Sequence, residues 1–186
     1  FPYTTLFRSV HDRIRGLPDT MLGVEKALPI FHEAGVYPSA NIGLHRLTGG
    51  SPLPRLISLT GDGVTRERLF AREARRSIRA AFNRVIEMGF TLANVSYPMS
   101  HDPEIDPVYG AASSDYTVTF TRKEKGLLLS ALSDVLDEMR PRIRVFTPAS
   151  ALRALVDQLT RGVEPEHPGR GGADYFFVDA RDGDTY

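Results

Sequence analysis

The chain has 186 residues, 23 basic against 23 acidic, and no cysteine, with ordinary globular shares of hydrophobic (41%) and charged (25%) residues. The balanced charge argues against nucleic acid or an anionic membrane as partner, since either would call for a basic excess, and no stretch nears the ~18 apolar residues of a membrane span. Without cysteine there is no disulfide framework, no thiolate metal site and no cysteine nucleophile.

Residues 1–9 read Phe-Pro-Tyr-Thr-Thr-Leu-Phe-Arg-Ser and look like the in-frame translation of a sequencing adapter. They are expected to be a scar with no place in the fold, the native reading starting near Val10. Leu17, Met21, Val24, Leu28 and Phe31 then recur at helical spacing, with Pro29 as a kink and Gly35 as a stop. Val36, Pro38, Ala40, Ile42 and Leu44 alternate with more polar residues, which predicts a strand. Thr48 to Gly63 reads as a long loop. Phe70, Ala74, Ile78, Ala81, Phe82 and Val85 predict a long helix that ends at Gly89, and residues 90–97 predict a second strand.

A polar loop spans His101 to Ser114, and a weak alternation over Tyr116 to Phe120 suggests a short strand. Thr121 and Glu124 form a capping-box pattern ahead of a helix carried by Leu128, Leu132, Val135 and Met139. Residues 143–146 read as a short buried strand. Thr147 is the expected N-cap of the next helix, with Pro148 at its first position and Leu152, Leu155, Val156 and Leu159 on its apolar face. Loop over Gly162 to Gly172, a strand at Tyr175 to Val178 and the turn signal Asp182-Gly183 follow. That turn announces a hairpin whose second strand has barely begun, so the chain is expected to be an internal part of a longer protein.

Regular alternation of helix and strand implies an α/β fold with a parallel sheet, either an arc of a barrel or an open sheet. Ligand-facing residues then lie at the C-terminal ends of the strands, at His45-Arg46 and Tyr97-Pro98-Met99-Ser100. The five histidines, His11, His32, His45, His101 and His167, form no tight ligand spacing. The Arg-rich run from Arg66 to Arg79 includes Glu67 and Glu73 and reads as a solvated helix face. Arg15, ahead of the first expected helix, has the fork to hold a carboxylate. Asn41, on the polar face of its strand, would point into a barrel, toward a bound molecule or a neighbouring strand.

Four segments together resemble the radical S-adenosylmethionine enzymes that carry a SPASM-type auxiliary region. Val10-His-Asp-Arg-Ile-Arg-Gly16 is similar to the stretch after that family's fourth barrel strand. Ala34-Gly-Val-Tyr-Pro-Ser-Ala-Asn-Ile-Gly-Leu-His-Arg46 is similar to its fifth strand, and Gly89-Phe-Thr-Leu-Ala-Asn-Val-Ser-Tyr-Pro-Met-Ser100 to its sixth. The run from Gly171 to Tyr186 resembles the opening of the auxiliary region. The resemblance implies a partial (β/α) barrel whose C-terminal half is residues 10–160, with the start of a SPASM-like hairpin over 161–186. It implies S-adenosylmethionine and a [4Fe–4S] cluster as cofactors of the whole protein, a peptide or protein substrate, and a cytoplasmic location. By position, Arg15 matches a residue that holds the S-adenosylmethionine carboxylate, Asn41 an inward position of the fifth strand, and Tyr97 and Met99 an adenine contact. Where the family often carries Cys-x-x-Gly, this chain has Gly169-Arg-Gly-Gly172. The cysteine triad of the first strand is not in this sequence, so the chain alone is expected to bind no cluster and to be inactive. Two other readings remain open: a metal-dependent barrel hydrolase or isomerase using His45, His101, Asp102 and Glu104, and a non-catalytic interaction domain.

Overall fold

From residue 39 onward strand alternates with helix, and the computed structural model, which describes residues 2–97 and 115–162, shows the parallel sheet that this order requires. The elements are α1 (Pro2–Arg15), α2 (Thr20–Glu33), β1 (Ser39–Gly43), α3 (Gly63–Glu87), β2 (Leu92–Ser96), α4 (Arg122–Met139), β3 (Arg144–Val145) and α5 (Ala149–Arg161). The strands lie in the order β1-β2-β3, both pairs parallel, with Asn41 opposite Asn94 and Ala93 opposite Val145. Helical crossovers of this length return the chain to the same end of the sheet, which makes neighbours parallel.

Side chains show that α3 and α4 run in the same direction. Arg75 donates to Asp134 at 2.7 Å, Arg79 to Glu138 at 2.7 Å and Arg142 to Asn83 at 2.7 Å, each pair 59 residues apart. A constant offset that advances four residues at a time is the signature of two helices side by side. The arginine run thus stays at the surface but laces one helix to the next. Beneath it lies the core. Phe70, Ala74, Ile78, Ala81, Phe82 and Val85 of α3 are all buried, against Ala40, Ile42, Ala93 and Val95 of the sheet and Leu128, Leu132, Val135 and Met139 of α4. The opposite face of the sheet carries Ser39, Asn41, Gly43 and Asn94, all exposed.

Several expectations give way. Residues 2–15 are helical, so Arg15 ends the first helix instead of preceding it. Leu6, Val10 and Ile14 sit four apart, and Pro at the first position suits a helix start. Of the expected stripe, Met21 and Leu28 on α2 are buried, but Phe31 on α2 and Leu17 ahead of it are exposed. Tyr116 to Phe120 is a turn and not a strand: Asp115 accepts the Thr117 amide at 2.8 Å through its side chain and the Val118 amide at 3.2 Å through its carbonyl. Thr147 is not a cap. Its hydroxyl accepts the Val95 amide at 3.2 Å and so extends the two-residue β3, while Pro148 is the cap residue of α5. The expected strand at 175–178, the hairpin and Gly169 lie outside the described residues.

The capping box at Thr121 and Glu124 is present, but Glu124 does more than cap. It is buried, and so is Arg46, whose guanidinium donates to Glu124 at 2.7 Å, to Thr119 O at 2.9 Å and to Pro54 O at 3.0 Å. The Phe120 ring lies 4.4 Å from the same guanidinium. Glu124 also accepts the backbone N–H groups of Leu56 at 2.7 Å and Thr121 at 2.9 Å. Burial pushes the Glu124 carboxyl up, but these amides and Arg46 outweigh it and hold the carboxyl below its ordinary range.

Glu124→Gln is expected to destabilise the chain by about 3–5 kcal/mol, because it strands a buried charge and turns an amide NH2 toward donors. Acid should act on the same pair. A carboxyl whose folded pKa is depressed stabilises fully above its unfolded value of about 4.3, and that contribution is lost as pH falls through the folded value. Urea unfolding of both chains at neutral and acidic pH checks this, the wild type losing more stability in acid than the variant.

Candidate functional site

Among the described residues strand β1 has a neighbour on one side only. The Leu44 N–H reaches across to Ser96 O at 2.9 Å, so the backbone groups of Ile42 and Ala40, in the same parity, also face β2. Those of Asn41 and Gly43 face outward. Along this edge lies a cleft of about 450 Å³ between β1, α1, the start of α2 and the end of α3. Its apolar wall includes Val10, Met21, Val24, Val85 and Phe90. Six polar residues line it: His11 and Arg15 from α1, Ser39 and Asn41 from β1, and His45 and Thr48 from the loop that follows.

Local structure places each of them. Gly16, at a φ of 66° that favours glycine, ends α1 directly after Arg15, and an arginine at a helix C-terminus meets a favourable dipole. Asp12 accepts the Met21 amide at 3.0 Å, which fixes α1 against α2. That amide, more than His11, holds the Asp12 carboxyl below its ordinary range. Glu25 of α2 takes ion pairs from Arg8 of α1 and Arg84 of α3, which ties all three helices beside the cleft.

Asn41 Oδ1 accepts the Ser96 hydroxyl at 2.8 Å, a neighbouring-strand contact that leaves the amide N–H groups to other partners. His45 is held through its ring and its backbone. Its Nδ1 accepts the Leu47 amide at 3.0 Å, and its own amide donates to Thr48 Oγ1 at 2.8 Å. Burial pushes the His45 imidazole toward its neutral form, His11 adds to this and Asp115 opposes it. With Nδ1 accepting, the neutral ring carries its proton on Nε2. The cleft therefore offers an arginine fork, an amide and an imidazole N–H against an apolar wall. That donor set suits a small molecule with a carboxylate or other oxygen acceptors and an apolar body.

Arg15 and Asn41 are thus brought together. Tyr97 is not with them; it packs on the hydrophobic core from the end of β2 and is absent from the cleft lining. Met99, His101, Asp102, Glu104 and His167 lie outside the described residues. Among the described residues no group of three or more His, Asp or Glu side chains is placed to hold a metal ion. His11 was missed in the sequence. Reading residues 10–15 as helix finds it, since His11 and Arg15 are four apart and share a face.

Comparison of the chain with protein-family models, with curated proteins and with solved structures gives no match.

The His45 environment has a measurable consequence. In a proton NMR titration the His45 ring should protonate with a midpoint below the ordinary histidine value of about 6.5. Its nitrogen shifts at neutral pH should report the Nε2–H tautomer. A midpoint at or above the ordinary value contradicts the half-buried, Leu47-bonded ring.

Proposed function

We propose that this chain is the C-terminal half of a partial (β/α) barrel of the radical S-adenosylmethionine type, followed over 161–186 by the start of a SPASM-like region. In this reading β1, β2 and β3 are late strands of the barrel. The cleft along β1 is the chain's share of the S-adenosylmethionine pocket. The observation that carries the reading is the convergence of Arg15 and Asn41, taken from separate motifs, on one cleft at the sheet edge where a preceding strand would pair. A second support is the contrast between sheet faces: parallel sheets are normally covered on both sides, yet here Asn41 and Asn94 leave one face polar and exposed. A barrel interior that binds a polar cofactor accounts for that face.

The residues of the cleft fit this cofactor. The Arg15 fork matches a carboxylate, Asn41 donates from its amide, and His45 Nε2–H offers a third donor while Val85 and Phe90 wall the apolar side. When bound beside a reduced cluster, S-adenosylmethionine supplies a carbon radical that abstracts hydrogen from a substrate. An iron–sulfur cluster does not fit this chain, which has no thiolate to hold one. The cluster ligands belong, in this reading, to the part of the whole protein before Val10. The role left to this chain is to bind and orient the cofactor. The substrate class it carries is a peptide or protein, and the compartment is the cytoplasm. Among the described residues no helix is long and apolar enough to cross a membrane.

Calorimetric titration of the chain with S-adenosylmethionine tests the reading. Saturable binding is expected, weakened about tenfold or more by Arg15→Ala, since hydrogen bonds to a charged group are the strong ones. Absence of binding, or a variant that binds as the parent does, sinks it. The gene upstream of the Val10 codon gives an independent check: a Cys-x-x-x-Cys-x-x-Cys pattern is expected there.

A further inference from the structure

A second hollow, of about 530 Å³, lies between the segment that follows β1 and the helices α3 and α4. It opens where α3 and α4 begin, and Gly63, Arg66, Thr121 and Lys123 line it. Adjacent residues separate it from the first cleft: His45 faces the cleft and Arg46 faces the hollow.

The charges here do not balance. Four cations, Arg46, Arg55, Arg66 and Lys123, line the hollow with two carboxylates, Glu67 and Glu124. Both carboxylates are committed. Glu124 is paired with Arg46, and Glu67 meets Lys123 at 2.5 Å. Arg55 and Arg66 therefore have no carboxylate within ion-pair distance among the described residues. Arg55 is held by stacking, its guanidinium 4.8 Å from the centre of the Tyr116 ring. Arg66 is half-buried, and its Nε–H is buried with no acceptor among the described residues. The nearby Asp62 carboxylate caps α3 by accepting the Thr65 amide at 2.7 Å. A buried guanidinium N–H without an acceptor is a cost that a bound anion would remove. Arg66 lies in the field of Asp62 without bonding to it, so two cations that no carboxylate among the described residues bonds directly converge on one hollow whose wall also includes the apolar side chains of Leu56 and Ile57.

We infer that this hollow binds an organic phosphate monoester, its dianionic phosphate held by Arg55 and Arg66 and its organic part lying on Leu56 and Ile57. Two guanidiniums match the charge of the dianion, and the planar fork matches its oxygens. A volume of this size suits a small molecule and exceeds what phosphate alone would fill. The site shares no lining residue with the β1 cleft and does not rest on the S-adenosylmethionine reading.

Titration of the nitrogen-15-labelled chain with phenyl phosphate and with inorganic phosphate, at constant ionic strength, tests it. Phenyl phosphate should bind more tightly than inorganic phosphate and shift the Arg66 Nε–H and the amides of Gly63 and Lys123. Arg66→Gln should weaken binding about tenfold or more, and Arg66→Lys less, since it keeps the charge and loses the fork. Arg55→Gln replaces an exposed side chain that makes no hydrogen bond among the described residues, so it tests the site even if the Arg66 variants fold poorly. Arg72→Gln, at a side chain 69% exposed and paired with Glu73, is the control and should leave binding unchanged. Shifts that sodium chloride reproduces, or an affinity unchanged in both Arg55→Gln and Arg66→Gln, overturn the proposal. So does equal affinity for inorganic and phenyl phosphate.

Discussion

One buried ion pair anchors the loop edge of this protein. Arg46 and Glu124 have side chains only 1% and 3% exposed, 78 residues apart in sequence. Burying two charges costs several kcal/mol each before their attraction and hydrogen bonds repay it. The pair persists because most of its polar atoms are used. Arg46 reaches carbonyls of Pro54 and Thr119, and Glu124 takes amides of Leu56 and Thr121. Those partners belong to the segment joining β1 to α3 and to the turn ahead of α4. Apart from a 3-10 turn at Leu56–Ser58 both segments are irregular, so their backbone groups have few partners in a ladder or helix. The ion pair supplies those partners and seats both segments on the same edge of the sheet.

From that anchor the rest of the edge follows. The loop after β1 is drawn in tightly. Gly49 lies so near α3 that an added Cβ would stand 2.6 Å from Ser77 Cα, and Thr48 Oγ1 bridges the His45 amide and, at 3.1 Å, Gly43 O. The pinned turn at the loop's start holds His45 and Arg46 on opposite walls. Two cavities thus share one connector, the first with a neutral imidazole and the second with a surplus of cations. Strain at this loop would be felt in both.

Away from the anchor the structure is held by more ordinary means. The α3–α4 layer rests on a continuous apolar seam, with exposed ion pairs at its surface that each contribute little. At the free edge of β1, α1 and α2 are held by Asp12 and Glu25, whose partners come from α2, α1 and α3. The cleft sits where apolar packing thins and charged contacts take over, which is why its lining mixes Val24 and Phe90 with Arg15 and Asn41. Binding sites tend to form at such boundaries, where shape is fixed and polar groups remain uncommitted.

The parallel α/β order was legible in the sequence, as were the buried stripes of α3 and α4 and the capping box at Thr121. Each is a local property: a period of 3.6 or 2, or a pair three residues apart, is complete within a turn or two of chain. Asn41 could be placed on the polar face of its strand for the same reason. Tertiary structure alone decided the partner of Glu124, the turn at Tyr116 and the use of Thr147 as an extra rung for β2. It also decided that Arg15, His11 and Asn41 share a cleft while Tyr97 joins the core. A charge finds its partner by the packing of distant segments, and nothing within three or four residues of Arg46 or Glu124 records where the other will be.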